Sequence, residues 1–393
     1  MNSGAARKHI VTQRDSIPRI VEEFWTSKQR QASSLHEISY RACFKPQLPR
    51  YFIERYSNET DLVYDPFMGR GTTLIEAALL NRNVIGNDVN PLSRMLTEPR
   101  LNIPTTEEVA TRIGGIRFSP TAKADIDLSM FFHRRTEAEI VSLQRYLVRG
   151  KHEGTEDNVD RWIRMVATNR LTGHSTGFFS VYTLPPNQAT RPENQRRINR
   201  LRKQKPEYRD IRLNINKKTR SLLRNISEEQ RTTVNTIGDD ARFFSSDAGK
   251  TSRIKDGSVA LTVTSPPFLN IVHYSHDNWL RCWFNGIDET EIENKITMST
   301  SIGDWSLRMG EVFTELYRIT RKGGMVAFEV GEVRRGTVKL EEHVIPLGEK
   351  AGFQCTGILI NTQRFTKTSN IWGIDNNSLG TNTNRIVQFK KPD

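Results

Sequence analysis

Apolar positions along the chain fall into two blocks of strand and helix patterning, separated by a long polar stretch. In the first block, a helix over Pro49 to Tyr56 feeds an apolar strand that ends Val63-Tyr64-Asp65. Pro66-Phe67-Met68-Gly69-Arg70-Gly71-Thr72-Thr73 then makes a glycine-containing turn into a helical run, Leu74 to Leu80. A second strand, Asn83-Val84-Ile85-Gly86-Asn87, ends at Asp88, and Asn90-Pro91-Leu92-Ser93 reads as a helix start, with Asn or Pro at the cap. From Thr105 to about Arg231 the strand signal stops. Glu107 to Ile113, Arg135 to Leu147 and Val159 to Leu171 carry helical periodicity, and Pro185-Pro186 marks a loop. The second block opens with an expected strand, Thr233 to Arg242, then the buried strand Ser258 to Val263. It continues with an amphipathic helix over Asn278 to Phe284 and a helix, turn and strand over Trp305–Ile319, Arg321–Gly324 and Met325–Val330. A helix from His343 to Ala351 and two final strands, Phe353 to Gln363 and Asn384 to Lys390, complete it, with a polar loop from Lys367 to Thr383 between the strands. The first residues form a polar arm whose amphipathic patch, Ile17 to Trp25, predicts a terminal helix. These patterns divide the chain into an arm (1–35), a first α/β half (36–100), a helical insert (101–231) and a second α/β half (232–393).

Two places in this pattern carry chemistry. Gly69 and Gly71 allow the backbone to approach a ligand closely, and an acid at Asp88, seventeen residues past Gly71, suits a ribose diol. The strand before Thr264-Ser265-Pro266-Pro267-Phe268 must stop at the prolines, which lack an N–H and fix φ. The chain therefore leaves the sheet at its carboxyl edge, where open α/β sheets bind ligands. A hydroxyl, rigid carbonyls and an aromatic face together suit a flat group with an exocyclic amine.

Charge sharpens this. The 393 residues carry a net +13, and the stretch from Arg191 to Arg231 alone holds fourteen Lys and Arg against five acids. A charge run is usually a solvated face; concentrated in one insert, it favours contact with a polyanion. Arg196, Arg197, Arg200, Arg202 and Lys203 are its densest part. Cys43, Cys282 and Cys355 have no metal-ligand spacing, and His273 and His276 lack a third ligand nearby, so no metal is expected. Trp279 and Trp283, four apart, share a helix face and read as core. No signal peptide or bilayer-length apolar run is seen, which makes a cytoplasmic enzyme the expectation.

Asp65 to Thr73 and Ser265-Pro266-Pro267-Phe268 together resemble the cofactor loop and catalytic tetrapeptide of the DNA amino-methyltransferases, from about residue 36 to the C-terminus and weakly between about 100 and 230. The resemblance implies a Rossmann-like α/β sheet dependent on S-adenosylmethionine, with a C-terminal β-hairpin and a largely helical basic insert. It implies cofactor contacts from Lys45, Asp65, Phe67, Gly69, Gly71, Thr72, Asp88 and Asp240, the last on the adenine. Catalysis falls to Ser265, Pro266, Pro267 and Phe268, in the form that usually goes with the N4 amine of cytosine. The substrate would be double-stranded DNA with the target base flipped out, and a restriction endonuclease of the same specificity would be a natural companion. An N6-adenine enzyme is the alternative; an RNA or protein amide methyltransferase and a non-catalytic nucleic-acid-binding protein are remoter ones. The cofactor loop precedes the catalytic motif, whereas many relatives with Ser-Pro-Pro have the reverse order.

Overall fold

Short β-branched runs form the strands, and the order in which they pair sets where the chemistry sits. The computed structural model describes residues 17–22, 32–40, 43–183, 190–267, 274–288, 301–333, 338–362 and 383–393. The strands are β1 Arg19–Glu22, β2 Leu62–Asp65, β3 Asn83–Asn87, β4 Arg242–Phe244, β5 Val259–Thr264, β6 Thr320–Val333, β7 Val338–Lys339, β8 Gln354–Thr362 and β9 Thr383–Lys390. They form one sheet in the order β1-β8-β9-β6-β5-β2-β3-β4, with β7 paired to β6. The run β6-β5-β2-β3-β4 is parallel. β9 is antiparallel to both β6 and β8, which makes the expected C-terminal hairpin. The strand order reverses between β2 and β5, and such a switch point opens a crevice at the carboxyl edge.

Alternate residues of the strands enter different cores, as the two-residue repeat requires. Val63, Leu261, Val263, Met325 and Ala327 join one core; Tyr64, Val326, Phe328 and Val330 join the other. The second core is closed by helices Ile302–Ile319 and Leu340–Lys350. The first is closed by α1 Gln47–Tyr56 and α2 Thr72–Leu79, and it continues into the insert. The insert consists of α4 Thr106–Gly115, α5 Arg134–Glu153, α6 Asn158–Arg170, α7 Pro192–Leu201 and α8 Ile211–Leu223; α3 Pro91–Thr97 leads into it. Leu143, Trp162, Ile215 and Leu222 are buried in the same core as Phe52 and Val63, so the insert is packed onto the sheet layer. Among the described residues, no helix is long and apolar enough to cross a membrane.

Three expectations differ. The arm's patch is not helical where described: Arg19–Glu22 is a strand parallel to β8, with Ile20 opposite Leu359 and Val21 opposite Ile360. An unpaired edge of β8 recruits these β-branched residues more strongly than their helical spacing does. The strand expected from Thr233 to Arg242 is the helix α9, Glu228–Asp240, followed by the three-residue β4. Ser227 and Gln230 form a reciprocal cap at its start, and Val234, Ile237 and Gly238 make the buried stripe. Gly238 permits the contact, since a Cβ there would stand 1.7 Å from the Leu101 carbonyl oxygen. The turn expected at Arg321–Gly324 lies inside β6, where the pairing with β5 shifts register between Val259 and Leu261 and Gly323 has φ 69°.

Candidate active site at the carboxyl edge

The loop between β2 and α2 takes its shape from two left-handed residues, Gly69 (φ 49°) and Gly71 (φ 75°). At Gly71 space also excludes a side chain, because a Cβ would lie 2.3 Å from Thr97 Cγ2. Thr72 opens α2, whose first turn has no side-chain cap, leaving its N–H groups facing the edge. Asp88, just past β3, holds the loop from the side. Its Oδ2 accepts from Gly69 N at 2.9 Å and its Oδ1 from Asn90 N at 2.9 Å. Burial pushes the Asp88 carboxyl upward and those two amides pull it back. The residue as a whole is half-buried at the carboxyl edge.

Beneath the loop the chain is braced by arginines that sequence patterning did not single out. The Arg70 guanidinium donates to the carbonyls of His36 (3.1 Å) and Ile38 (2.8 Å). Arg100, fully buried, donates to the carbonyls of Leu96, Leu35 and Arg70. Burial and the nearby Arg70 charge lower it to about 9. Tyr40 flanks the loop: its ring lies 3.6 Å from where a Gly69 Cβ would stand, and its hydroxyl accepts from Asn90 Nδ2 at 3.2 Å.

Strand β5 is bonded directly to this loop. Thr264 Oγ1 donates to Asp65 Oδ1 at 2.6 Å, and Thr73 Oγ1 donates to the Val263 carbonyl at 3.0 Å. Asp65 is buried and also accepts from Phe67 N at 3.1 Å; burial drives its carboxyl up to about 7. Asp65 is thus an internal brace between the two motifs. Ser265 follows, half-buried, with Pro266 buried beside it. Trp305 Nε1 donates to the Pro267 carbonyl at 3.0 Å, which pins the second proline from helix Ile302–Ile319. Phe268 lies outside the described residues. Behind Ser265 stands Glu329 of β6, an unforeseen buried acid whose carboxylate takes hydrogen bonds from Ser265 and from Asn384 Nδ2, the latter at 2.6 Å.

Residues 6–93 match the family model described as DNA methylase. Among curated proteins, a type II methyltransferase of Methanocaldococcus jannaschii is 38% identical over 76 residues, 19% of this chain and 14% of that protein. An orphan methyltransferase of Bacillus amyloliquefaciens is 45% identical over 62 residues, 15% of this chain and 23% of that one. Over this segment the chain is similar to DNA methylases. The matched segment spans less than a quarter of either relative's length. The family match begins earlier than residue 36 and covers the glycine loop and Asp88, not the Ser-Pro-Pro stretch. A SAM-dependent methyltransferase from Methanosarcina mazei superposes with a TM-score of 0.33 at 11% identity over 87% of this chain and 97% of that one, a likeness too slight to carry weight.

The fold gathers Asp65, Phe67, Gly69, Gly71, Thr72, Asp88 and Ser265 to Pro267 at one edge. Lys45 is exposed on the turn into α1; two residues before it, the Cys43 thiol takes the backbone N–H of Arg70, which sets this segment against the loop. Asp240 is not at the edge. It is the exposed last residue of α9, ahead of β4, and so lies at the amino end of a strand parallel to β3. The chain that reaches the carboxyl edge beside β3 is Phe244 to Ser246, with Ser246 N and Oγ donating to Asn87 Oδ1 at 3.1 and 3.0 Å. Tyr40 and Ser246 had no periodic or motif signal strong enough to mark them. An acid inside the apolar run Met325 to Val330 was a legible mark for Glu329.

The basic run is divided by the fold. Arg209 donates to the carbonyls of Ser175 and Phe178, Arg212 to those of Ile113 and Ile116, and Arg224 pairs with Glu37. These cations are scaffold. α7 is different: Gln195 Nε2 to the Tyr182 carbonyl (3.0 Å) and Asn199 Nδ2 to the Met130 carbonyl (2.8 Å) fix its inner side. Arg196, Arg197, Arg200, Arg202 and Lys203 are exposed, with Arg196 paired to Asp127 at 2.8 Å and Arg202 lying 3.8 Å over the Tyr182 ring. α7 adjoins the helix that follows the catalytic loop, α10 Tyr274–Asn285, since Trp279 Nε1 donates to the Thr190 carbonyl and Arg191 lies over the Trp279 ring.

Proposed function

We propose that this protein is a site-specific DNA methyltransferase that modifies the N4 amine of cytosine in duplex DNA. The observation that carries the reading is the pair of hydrogen bonds from Thr264 to Asp65 and from Thr73 to Val263, which lock the cofactor loop and the Ser-Pro-Pro edge into one rigid unit. The crevice fits S-adenosylmethionine: the uncapped start of α2 suits a carboxylate, and the half-buried Asp88 suits a ribose diol. Bound there, S-adenosylmethionine would supply an activated methyl group. Ser265 and the Pro266 carbonyl would accept the N–H groups of a flipped-out base and turn its nitrogen lone pair toward that methyl. The Pro267 carbonyl is already held by Trp305, so the preceding carbonyl is the one left for substrate. Ser265 is short and neutral, and within the family serine at this position leans toward cytosine. Arg197 and Arg200 on α7, with Arg202 and Lys203 just past its end, would take phosphates. A role as the modification partner of a restriction endonuclease acting on the same site, in the cytoplasm, follows from this reading.

The test is digestion of DNA treated with the protein and S-adenosylmethionine, followed by nucleoside mass spectrometry. N4-methylcytosine is expected. N6-methyladenine in its place would overturn the base assignment, and label in RNA or protein alone would overturn the DNA assignment.

A further inference from the structure

Glu329 interrupts an apolar strand. Thr264 of β5 pairs with Phe328 of β6, so Glu329 is the next residue along and stands beside Ser265. It faces the same core as Met325 and Ala327 and is 5% exposed. Such an acid is costly unless its oxygens are bonded. Here one oxygen accepts from Asn384 Nδ2 at 2.6 Å, and the carboxylate also takes the Ser265 hydroxyl. The charged groups on neighbouring elements are otherwise engaged. Arg385, next to Asn384 on β9, is turned to the other face and bonded to Glu341. Arg50 of α1 pairs with Glu54 and Glu76, and Asp65 lies beyond β5 and is bonded to Thr264. Lys45 is exposed at the head of α1. A fixed cation would have locked Glu329 as a structural ion pair; among the described residues its partners are instead a hydroxyl and an amide.

We propose that Glu329 is the positioning residue that takes up, through Ser265, the proton released by the target amine. The inference rests on the reading of Ser265 as the residue that meets that amine. The amine nitrogen forms a bond to the methyl carbon with its lone pair, and the pair of the broken sulfur–carbon bond returns to sulfur. The nitrogen then holds one proton too many. That proton passes to Ser265 Oγ as the Ser265 hydroxyl proton passes to the Glu329 carboxylate, so atoms and charge balance and no further reactant is needed. Because the Ser265 hydroxyl donates its hydrogen bond to Glu329, its oxygen keeps its lone pairs for the amine N–H. Burial pushes the Glu329 carboxyl up to about 7, and the Ser265 and Asn384 hydrogen bonds oppose it, so the group exchanges protons near neutral pH.

Single-turnover methyl transfer to unmodified genomic DNA, measured from pH 5.5 to 8.5 with labelled S-adenosylmethionine, tests this. The parent should be slow at acid pH and rise through about 7. Glu329→Gln, which keeps an acceptor oxygen and binds no proton, should lower the plateau rate by about a hundredfold or more and remove that part of the inflection. Its cofactor affinity should stay within twofold. Asp65 titrates in the same range, so the difference between the two profiles is the readout. A flat parent profile, a Gln variant within threefold of the parent, or a slower variant with the inflection intact would each overturn the proposal, the last assigning Glu329 a purely structural role. If Glu329→Gln does not fold, Glu329→Asp must shift the inflection. An independent readout is melting. The parent should lose stability as pH rises from about 4.5 to about 7, and Glu329→Gln should lose less. Ser265→Ala run in parallel separates the two readings. Full turnover in that variant would sink the site assignment itself, whereas a crippled Ser265→Ala beside an active Glu329→Gln would sink only the proton relay.

Discussion

Asp88 accepts two backbone N–H groups and stands at the carboxyl edge beside the glycine loop. Asp88→Ala should therefore weaken S-adenosylmethionine binding by about 1.5–3 kcal/mol, the scale for hydrogen bonds to a charged group. Calorimetry on the folded variant measures it; unchanged affinity would remove Asp88 from the ribose site. Asp65 plays the opposite part, bonded inward to Thr264 and Phe67. Its carboxyl is raised from 3.8 to about 7, so the folded protein holds that proton more tightly than the unfolded chain does. The associated stability is fully present below the unfolded value and is lost as pH rises through about 7, a drop on the order of 4 kcal/mol. Asp65→Asn keeps an acceptor for Thr264 and should gain melting temperature over the parent at pH 8 but not at pH 4. An equal gain at both values would show that Asp65 is ionised without penalty.

At the scale of elements, α7 carries Arg197 and Arg200 outward from an inner side fixed by polar anchors, with Arg202 and Lys203 exposed just past its end. Replacing Arg197, Arg200, Arg202 and Lys203 by Gln should flatten the salt dependence of DNA binding, with roughly 0.9 lost from the log–log slope for each phosphate contact removed. Arg196→Gln should change the slope less, because Asp127 already occupies that guanidinium. Fluorescence anisotropy across a salt series measures both; an unchanged slope in the quadruple variant would move the phosphate contacts elsewhere. α9 shows why element type escaped sequence reading. Thr232 to Ile237 is rich in β-branched residues, and local preference favours a strand. The cap at Ser227 and the docking of Gly238 on Leu101 decide for the helix, and the second of these is a contact between residues far apart in sequence.

At the scale of the molecule, the sheet ends on one side with β1 laid along β8. Removing the chain through Glu22 exposes the outer hydrogen-bonding groups of β8, an edge of the kind that pairs with other chains. The shortened protein should melt lower and scatter more light on heating, and identical melting and solubility would show that β1 adds nothing to the sheet. The order of motifs is also a molecular matter. The glycine loop and the Ser-Pro-Pro stretch are 194 residues apart from Gly71 to Ser265, yet β2 and β5 are adjacent and parallel. The insert fills the gap in sequence without opening one in the sheet, because it leaves after α3 and returns through α9 to β4 at the far side.

The sequence by itself determined the strands β2, β3, β5, β8 and β9, the glycine loop, the abrupt end at Ser265-Pro266-Pro267 and the acid at Asp88. Each is dictated locally: by a short apolar run, by a backbone angle only glycine adopts readily, or by a proline that cannot pair. Tertiary structure alone decided that Asp65 faces inward, that Asp240 sits at the wrong end of its strand, that Arg209 and Arg212 are scaffold, and that Glu329 stands behind Ser265. Those outcomes depend on strand register and on which residues fill the space between elements, and neither is encoded in any single stretch of the chain.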